Sequence, residues 1–401
     1  MGAAKKKSML GWIFLSCWMT YLTAYLCRVN FSSAMTSITA ERGFPTEQLG
    51  VIGAVYFGVY ACGQLVNGYI GDRVPANRFI LIALLGTLAC NLGMAAVNSF
   101  GLMLLIWGLN GYFQSMFWST IIRVLAQNIS ADKRATVSAG ISLAMPAAYI
   151  VSWGLLGQLL DGAQVKWYFT VPALVCVPLI AVWMILSGKL NFEVQKKASG
   201  KAGIAETVKF VASEKLHWMI LVCMFHGLIK EGAAYWTPLL VSGMEITKTW
   251  SPFLLVCILP VANLVGILAS RVLMKNSSKN PYQLLMLLFG AIVLLSVGLM
   301  LNNGGLFLIG MMALISGVCY ANNTILMSFI PMQYTEKGMV ASVIGVFDFA
   351  SYVGAAISTY VLGRVLSNVG FAPLPGIWLG AAAVSILIAA MVVRMRSKES
   401  V

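Results

Sequence analysis

The chain consists largely of apolar stretches that are long enough to cross a lipid bilayer as helices. Hydrophobic runs of about 20 residues recur between short polar breaks, and a helix of that length spans a hydrocarbon core of roughly 30 Å. Transmembrane strands are about half as long, so this run length favours helices over a barrel. We predict an all-α membrane protein with twelve transmembrane helices near 10–36, 48–71, 78–97, 100–128, 135–160, 166–188, 216–242, 250–274, 281–301, 304–331, 338–365 and 374–394.

The composition supports this class and excludes others. Hydrophobic residues make up 59% of the chain and charged residues only 10%, far from the usual balance of a soluble domain. No nucleotide-binding loop or His/Glu metal motif occurs, and the eight cysteines show no C-x-x-C spacing. We therefore expect neither an enzyme nor a cofactor or metal.

The lysine and arginine residues are distributed unevenly among the loops between the predicted spans. The net charge is +14, but Lys and Arg fall mostly in alternate loops, a topology signal that gives no support for nucleic-acid binding. The pattern predicts a plasma (inner) membrane protein with both termini cytoplasmic, and with Arg42, Lys166, Lys248 and Arg364 on the opposite side. The first apolar run lacks a small-residue cleavage site, so we expect it to be a permanent span.

The longest polar segment divides the chain into two sets of six spans. We predict an N-terminal lobe at 1–188, a cytoplasmic linker at 189–215 that contains a short interfacial helix, and a C-terminal lobe at 216–401. The second half echoes the first, so the lobes should be pseudo-symmetric.

Two cations lie at corresponding positions in spans one and seven. Arg28 and Lys230 each interrupt a segment that is otherwise suited to lipid, where a charge is costly unless it faces a partner or an aqueous cavity. Ligand sites in repeat-built transporters lie near the bilayer midplane, so the pair favours an anion site. The alternative is that both cations are structural counterions of Glu231 and Asp348.

Four motifs then point to a known family. YLCRVNFSSAM at 25–35, GQLVNGYIGDR at 63–73, GYFQSMFWSTIIR at 111–123 and YWTP at 235–238 resemble the organophosphate:phosphate antiporters of the major facilitator superfamily. The resemblance implies a phosphate-bearing substrate bound by Arg28 and the span-seven cation, and alternating access by rocking of the lobes. We expect a monomer whose partners are a small organic anion, inorganic phosphate or a proton as coupling ion, and lipid.

The chain departs from the family pattern in the same region. Lys230 stands where the family has a second arginine, and a point charge replaces the planar fork suited to phosphate. Gln64 replaces a lysine and Met145 a histidine. Glu231 and Asp348 add two carboxylates, so these acids and the two cations sum to zero formal charge.

Candidate site residues follow from the motifs and from helical spacing. The substrate-binding candidates are Arg28, Lys230, Tyr21, Tyr25, Tyr60, Gln64, Gln114, Trp118 and Tyr320. The titrating candidates are His226, Glu231 and Asp348, and the conformational loop motif comprises Gly68, Asp72, Arg73, Arg123 and Arg134.

Helical geometry adds expectations about contacts. Tyr21 and Tyr25 should share a face with Arg28. Glu231 should point about 100° away from Lys230 and so should not be its partner. Gly68 should allow close helix approach, and Arg123 or Arg134 should brace the loop at Asp72 and Arg73.

Three functions fit these features. The leading prediction is a secondary active transporter that exchanges a small organic anion, in particular a phosphate ester, for inorganic phosphate. The first alternative is a proton-coupled symporter of a carboxylate or zwitterion, suggested by His226, Glu231 and Asp348. The second is a transporter-like membrane sensor of sugar phosphate, since the resembling family includes sensors with the same twelve-span body.

Overall fold

The computed structural model describes residues 3–71, 73–128, 140–189, 204–276, 280–301, 304–337 and 339–399, and helices dominate them. The first half contains α1 (Ala3–Arg42), α2 (Thr46–Gly71), α3 (Ala76–Ala96), α4 (Phe100–Gln114), α5 (Phe117–Asn128), α6 (Gly140–Leu159) and α7 (Val165–Lys189). The second half contains α8 (Ile204–Ser213), α9 (His217–Ser242), α10 (Pro252–Met274), α11 (Pro281–Leu301), α12 (Gly305–Met332), α13 (Val340–Val369) and α14 (Leu374–Glu399).

The helices account for all twelve predicted spans. Among the described residues, nine helices are long and apolar enough to cross a membrane. The other three predicted spans correspond to α1, to α4 with α5, and to α9. These three carry Arg28, Arg123 and the Lys230–Glu231 dipeptide, whereas Asp348 lies on α13, one of the nine apolar helices.

The fourth predicted span, 100–128, is wrong in one respect, because the helix breaks at 115–116. The Ser115 hydroxyl donates to the Tyr112 carbonyl at 2.7 Å, and the Asn67 amide donates to the same hydroxyl at 2.7 Å. A serine that bonds its own turn competes with the regular helix ladder. A helix is present in the predicted linker as α8, and its position at the membrane interface stays a prediction.

One compact unit comprises residues 1–44 and 62–197. Within it α1 packs on α5, α6 and α7, and α3 packs on α4 and α7. Asn30 on α1 donates to Asn91 Oδ1 on α3 at 2.8 Å and to the Tyr168 carbonyl on α7 at 3.1 Å. This buried amide therefore ties three helices together away from lipid.

The other compact unit comprises residues 45–61 and 198–401. Here α9 packs on α12, α13 and α14, and α10 packs on α12. The first half of α2 also belongs to this unit, where Tyr235 donates to the Leu49 carbonyl at 2.8 Å. A Cβ at Gly50 would lie 2.6 Å from the Thr359 carbonyl oxygen, so glycine permits this close approach.

Candidate functional site

Arg28 lies in the middle of α1, and its side chain is part of an aromatic cluster. The residue is 7% exposed, and its guanidinium carbon lies 5.1 Å from the centre of the Tyr25 ring. Tyr21 contacts Tyr25 at 5.1 Å between centroids, which confirms the predicted shared face. A guanidinium over an aromatic face gains cation–π attraction, which grows as water is excluded.

The cluster extends to two further helices of the same unit. Trp118 on α5 lies 5.0 Å from Tyr21 between ring centroids, and Tyr149 on α6 lies 6.0 Å from Tyr25. Trp153 continues the row at 4.6 Å from Tyr149. The candidates Tyr21, Tyr25 and Trp118 are therefore brought together around Arg28.

Amide side chains fix the rotation of α1 beside this cluster. Gln114 donates to the Ala24 carbonyl at 2.9 Å, and Asn110 donates to the Cys27 carbonyl at 3.0 Å. Asn91 donates to the Cys27 carbonyl as well, at 3.3 Å. The sequence reasoning missed Asn91 and Asn110, although amides within apolar spans are a signal for helix–helix bonding.

Lys230 on α9 has an ionic and polar environment. Its ammonium lies 3.0 Å from Glu231 Oε1 and 3.4 Å from Asn323 Oδ1. The nitrogen also lies 5.7 Å from the centre of the Tyr320 ring, so the candidate Tyr320 is a neighbour. Asn323 on α12 was not predicted.

The expectation that Glu231 is not the partner of Lys230 is wrong. Adjacent helix positions do diverge by about 100°, but both side chains are long enough to bend toward each other. The two side chains are 9% and 7% exposed, and such burial strongly favours pairing over leaving either charge alone.

His226 lies one turn before Lys230 and is fully buried. Both ring nitrogens are shielded from solvent, so polar groups of the protein must satisfy them. The Asn323 side chain lies close enough to interact with the ring, and the Lys230 and Glu231 charges are also close.

Asp348 is half-buried on α13, one turn before the closest approach of α13 to α9. A Cβ at Gly227 would lie 1.9 Å from the Ser351 carbonyl oxygen, and one at Gly354 would lie 1.9 Å from that of Met224. The two helix backbones are therefore in direct contact, which places Asp348 near this seam.

Two further substrate candidates lie along α2. Tyr60 contacts Tyr352 on α13 at 4.3 Å between centroids, and Phe57 stacks on the same ring at 6.1 Å. Gln64 is half-buried, one turn beyond Tyr60.

The loop between α2 and α3 is bonded from α5 through its backbone, and the predicted pairing of Arg123 with Asp72 or Arg73 stays a prediction. Arg123 donates from Nη1 to the Gly71 carbonyl and from Nη2 to the Val74 carbonyl, the latter at 2.9 Å. Arg73 is exposed. Asp72 and Arg134 lie outside the described residues.

The expectation for Gly68 is wrong for this structure. A Cβ there would meet no described atom within 4 Å, so close helix approach does not require this glycine. Among the described residues, no group of three or more His, Cys, Asp or Glu side chains could hold a metal ion.

Known proteins resemble the chain over most of its length. The family model described as Major Facilitator Superfamily matches residues 17–359. A probable hexose phosphate transport protein of Chlamydia trachomatis is 23% identical, over 90% of this chain and 85% of its own. The membrane sensor protein UhpC of Salmonella typhimurium is 21% identical, over 88% of this chain and 85% of its own.

A shorter match and a solved structure complete the comparison. The hexose-6-phosphate:phosphate antiporter of Escherichia coli is 30% identical, over 31% of this chain and 28% of its own. The crystal structure of the nucleoside transporter NupG has a TM-score of 0.73 at 13% identity, covering 96% of this chain and 98% of that one. The predicted fold class and the resemblance to organophosphate:phosphate antiporters are confirmed.

Proposed function

The chain belongs to the major facilitator superfamily, and we propose that it is a secondary active transporter exchanging a small phosphate ester for inorganic phosphate. Three relatives support the substrate class, since they are named for hexose phosphate transport, for a hexose-6-phosphate:phosphate antiporter and, in Arabidopsis thaliana, for a putative glycerol-3-phosphate transporter.

The single observation that carries this proposal is the buried Arg28. A guanidinium in the middle of a membrane helix, 7% exposed and over the Tyr25 ring, suits bidentate recognition of a phosphate group. Tyr21 contacts Tyr25, Trp118 contacts Tyr21, and both rings could offer faces to the organic part of the ester. In this proposal Lys230 also takes part in binding the anion, together with Tyr60, Gln64, Gln114 and Tyr320.

The transport cycle follows from the same proposal. Lobes at 1–188 and 216–401, joined by a cytoplasmic linker at 189–215, rock to expose the site alternately, and the loop braced by Arg123 stabilises one state. The protein acts as a monomer in the inner membrane with both termini cytoplasmic. A single cysteine placed at Lys248 tests this topology, because an impermeant reagent should label it from outside.

Two observations support alternative functions. The buried Lys230–Glu231 pair and Asp348 supply acids that a proton-coupled symporter of a carboxylate or zwitterion could use. The sensor UhpC covers most of the chain, which keeps a sugar-phosphate sensor as the other candidate.

Reconstitution tests the proposal. Purified protein in liposomes loaded with inorganic phosphate should take up labelled glucose 6-phosphate or glycerol 3-phosphate, and liposomes without internal phosphate should not. Arg28→Ala should abolish this uptake. Ester binding without any flux would favour the sensor, and uptake independent of internal phosphate would reject exchange.

A further inference from the structure

The Lys230 cluster differs from a simple anion site, because its cation is already paired with a carboxylate. Glu231 Oε1 lies 3.0 Å from the ammonium, Asn323 Oδ1 lies 3.4 Å away, and Tyr320 covers another side. The cluster therefore contributes one positive and one negative charge. An anion that approaches Lys230 also approaches Glu231. Because the pair is largely shielded from water, the anion and the Glu231 carboxylate repel each other strongly.

The surroundings of the pair suit neutral polar groups. An ionised carboxylate accepts several hydrogen bonds and donates none, whereas a neutral imidazole donates one and accepts one. The fully buried His226 ring lies beside the Asn323 amide, so two neutral polar side chains adjoin the ion pair. A hydroxyl group both donates and accepts, so it matches such surroundings, and a second full negative charge does not.

We propose that Glu231 is a specificity-determining residue that favours hydroxylated phosphate esters over inorganic phosphate. A hydroxyl on the carbon skeleton donates a hydrogen bond to the Glu231 carboxylate, while the phosphate charge stays several bonds away from it. Inorganic phosphate has no uncharged skeleton, so any contact with the Glu231 carboxylate brings two negative charges together. This inference rests on the proposed function and assigns the recognition of the uncharged part of the ester.

Matched ligand pairs test the proposal on the wild-type protein. Glucose 6-phosphate is compared with tetrahydropyran-2-ylmethyl phosphate, and glycerol 3-phosphate with propyl phosphate, since each pair shares its charge and differs in hydroxyl groups. Equilibrium binding to purified full-length protein should favour the hydroxylated member of at least one pair by about tenfold or more.

Glu231→Gln should remove this preference. The hydroxylated and plain esters should then bind within about threefold of each other, and inorganic phosphate should bind more tightly than to wild type, because the repelling charge is gone. Glu47→Gln is the matched control: Glu47 is also ion-paired, to Arg364 at 2.8 Å, but it is 40% exposed, and its loss should leave the preference unchanged.

A second variant distinguishes a loss of specificity from a loss of folding. Lys230→Gln combined with Glu231→Gln removes both charges and leaves neither one unpaired, and it should also lose the preference for hydroxylated esters. Equal wild-type binding of both members in both pairs, a preference that survives Glu231→Gln, or an equal loss of all ligands would overturn the proposal. Tighter binding of phosphoethanolamine than of either hydroxylated ester would also overturn it, in favour of an ammonium ligand. Failure of wild type to bind any phosphate compound would instead refute the proposed function.

Discussion

Arg28 and Lys230 occupy corresponding positions in the two halves of the sequence, but the structure surrounds them differently. Arg28 lies over Tyr25 in a row of aromatic rings, whereas Lys230 forms an ion pair with its chain neighbour Glu231. The sequence reflects this difference. None of the first six predicted spans contains Asp or Glu, and the second six contain only Glu231 and Asp348.

The two halves of the chain place a cation at corresponding positions but surround it with different electrostatic environments. An aromatic face adds cation–π attraction to a guanidinium without cancelling its charge. A cation beside a carboxylate has a weaker attraction for anions and gains a structural role as well, because each member of a buried pair compensates the desolvation of the other. The two residues should therefore respond differently to substitution.

The largest effect is expected at Lys230, where binding and stability should fall together. Lys230→Ala leaves the Glu231 carboxylate buried without this partner, which should lower the free energy of unfolding by about 3–5 kcal/mol. Ester affinity should also fall on the order of 100-fold. Thermal unfolding in detergent and ligand titration measure the two effects.

A variant that removes both charges separates the loss of the ion pair from the loss of the lysine. Lys230→Gln with Glu231→Gln should recover most of the lost stability but not the affinity. Lys230→Arg should keep the pair and bind phosphate esters at least as well, through a bidentate fork. If Lys230→Ala is as stable as the double variant, the ion pair is not what stabilises this part of α9.

Arg28→Ala should weaken ester binding. Its loss removes a cation from an aromatic cluster, so we expect a decrease in ester affinity on the order of 100-fold. Arg364→Ala is the control, because Arg364 is 56% exposed and pairs with Glu47 at the protein surface. Near-normal uptake by folded Arg28→Ala protein would refute the proposed anion site.

The tightness of helix packing at glycines also differs between the two units. A Cβ at Gly227, one turn before Lys230, would meet the Ser351 backbone, so Gly227→Ala must push α9 and α13 apart and should cost about 1–3 kcal/mol of stability. A Cβ at Gly140 in the other unit would lie 3.1 Å from Phe14 Cζ, the end of a side chain that can shift.

Melting temperatures of the glycine variants check this difference. Gly140→Ala should lower the melting temperature much less than Gly227→Ala. Gly58→Ala should leave it nearly unchanged, because a Cβ there meets no described atom within 4 Å. An equal decrease in all three would show that general helix effects, and not the α9–α13 contact, set the cost.

Much of this architecture could be predicted from the sequence. Run length predicted most spans to within a few residues, because the bilayer imposes a minimum length on every spanning helix. Helical spacing placed Tyr21, Tyr25 and Arg28 on one face. The helix break at 115–116 was not predicted, because it depends on side-chain hydrogen bonds. The Ser115 hydroxyl donates within its own turn and accepts a hydrogen bond from the Asn67 amide.

The electrostatic partners could not be predicted in the same way. The Lys230–Glu231 pair depends on rotamers, and spacing along a helix gives only the direction of Cβ. Asn323 belongs to another helix, α12, so no local pattern connects it with Lys230. Long-range polar contacts of this kind follow from the packing of whole helices, and a single sequence carries little information about it.

The smallest effect is expected for Asp348→Asn. In phosphate exchange the returning anion resets the carrier, so no carboxylate has to titrate, and the half-buried Asp348 side chain can lose its charge without stopping turnover. Phosphate-loaded liposomes containing this variant should therefore take up a phosphate ester at close to the wild-type rate and without a pH gradient. A proton-coupled symporter behaves differently, because its empty form can close only after an acid is neutralised. Wild-type uptake that needs an inward proton gradient, ignores internal phosphate and disappears in Asp348→Asn would replace exchange with symport and would assign the coupling to the half of the chain that carries both membrane acids.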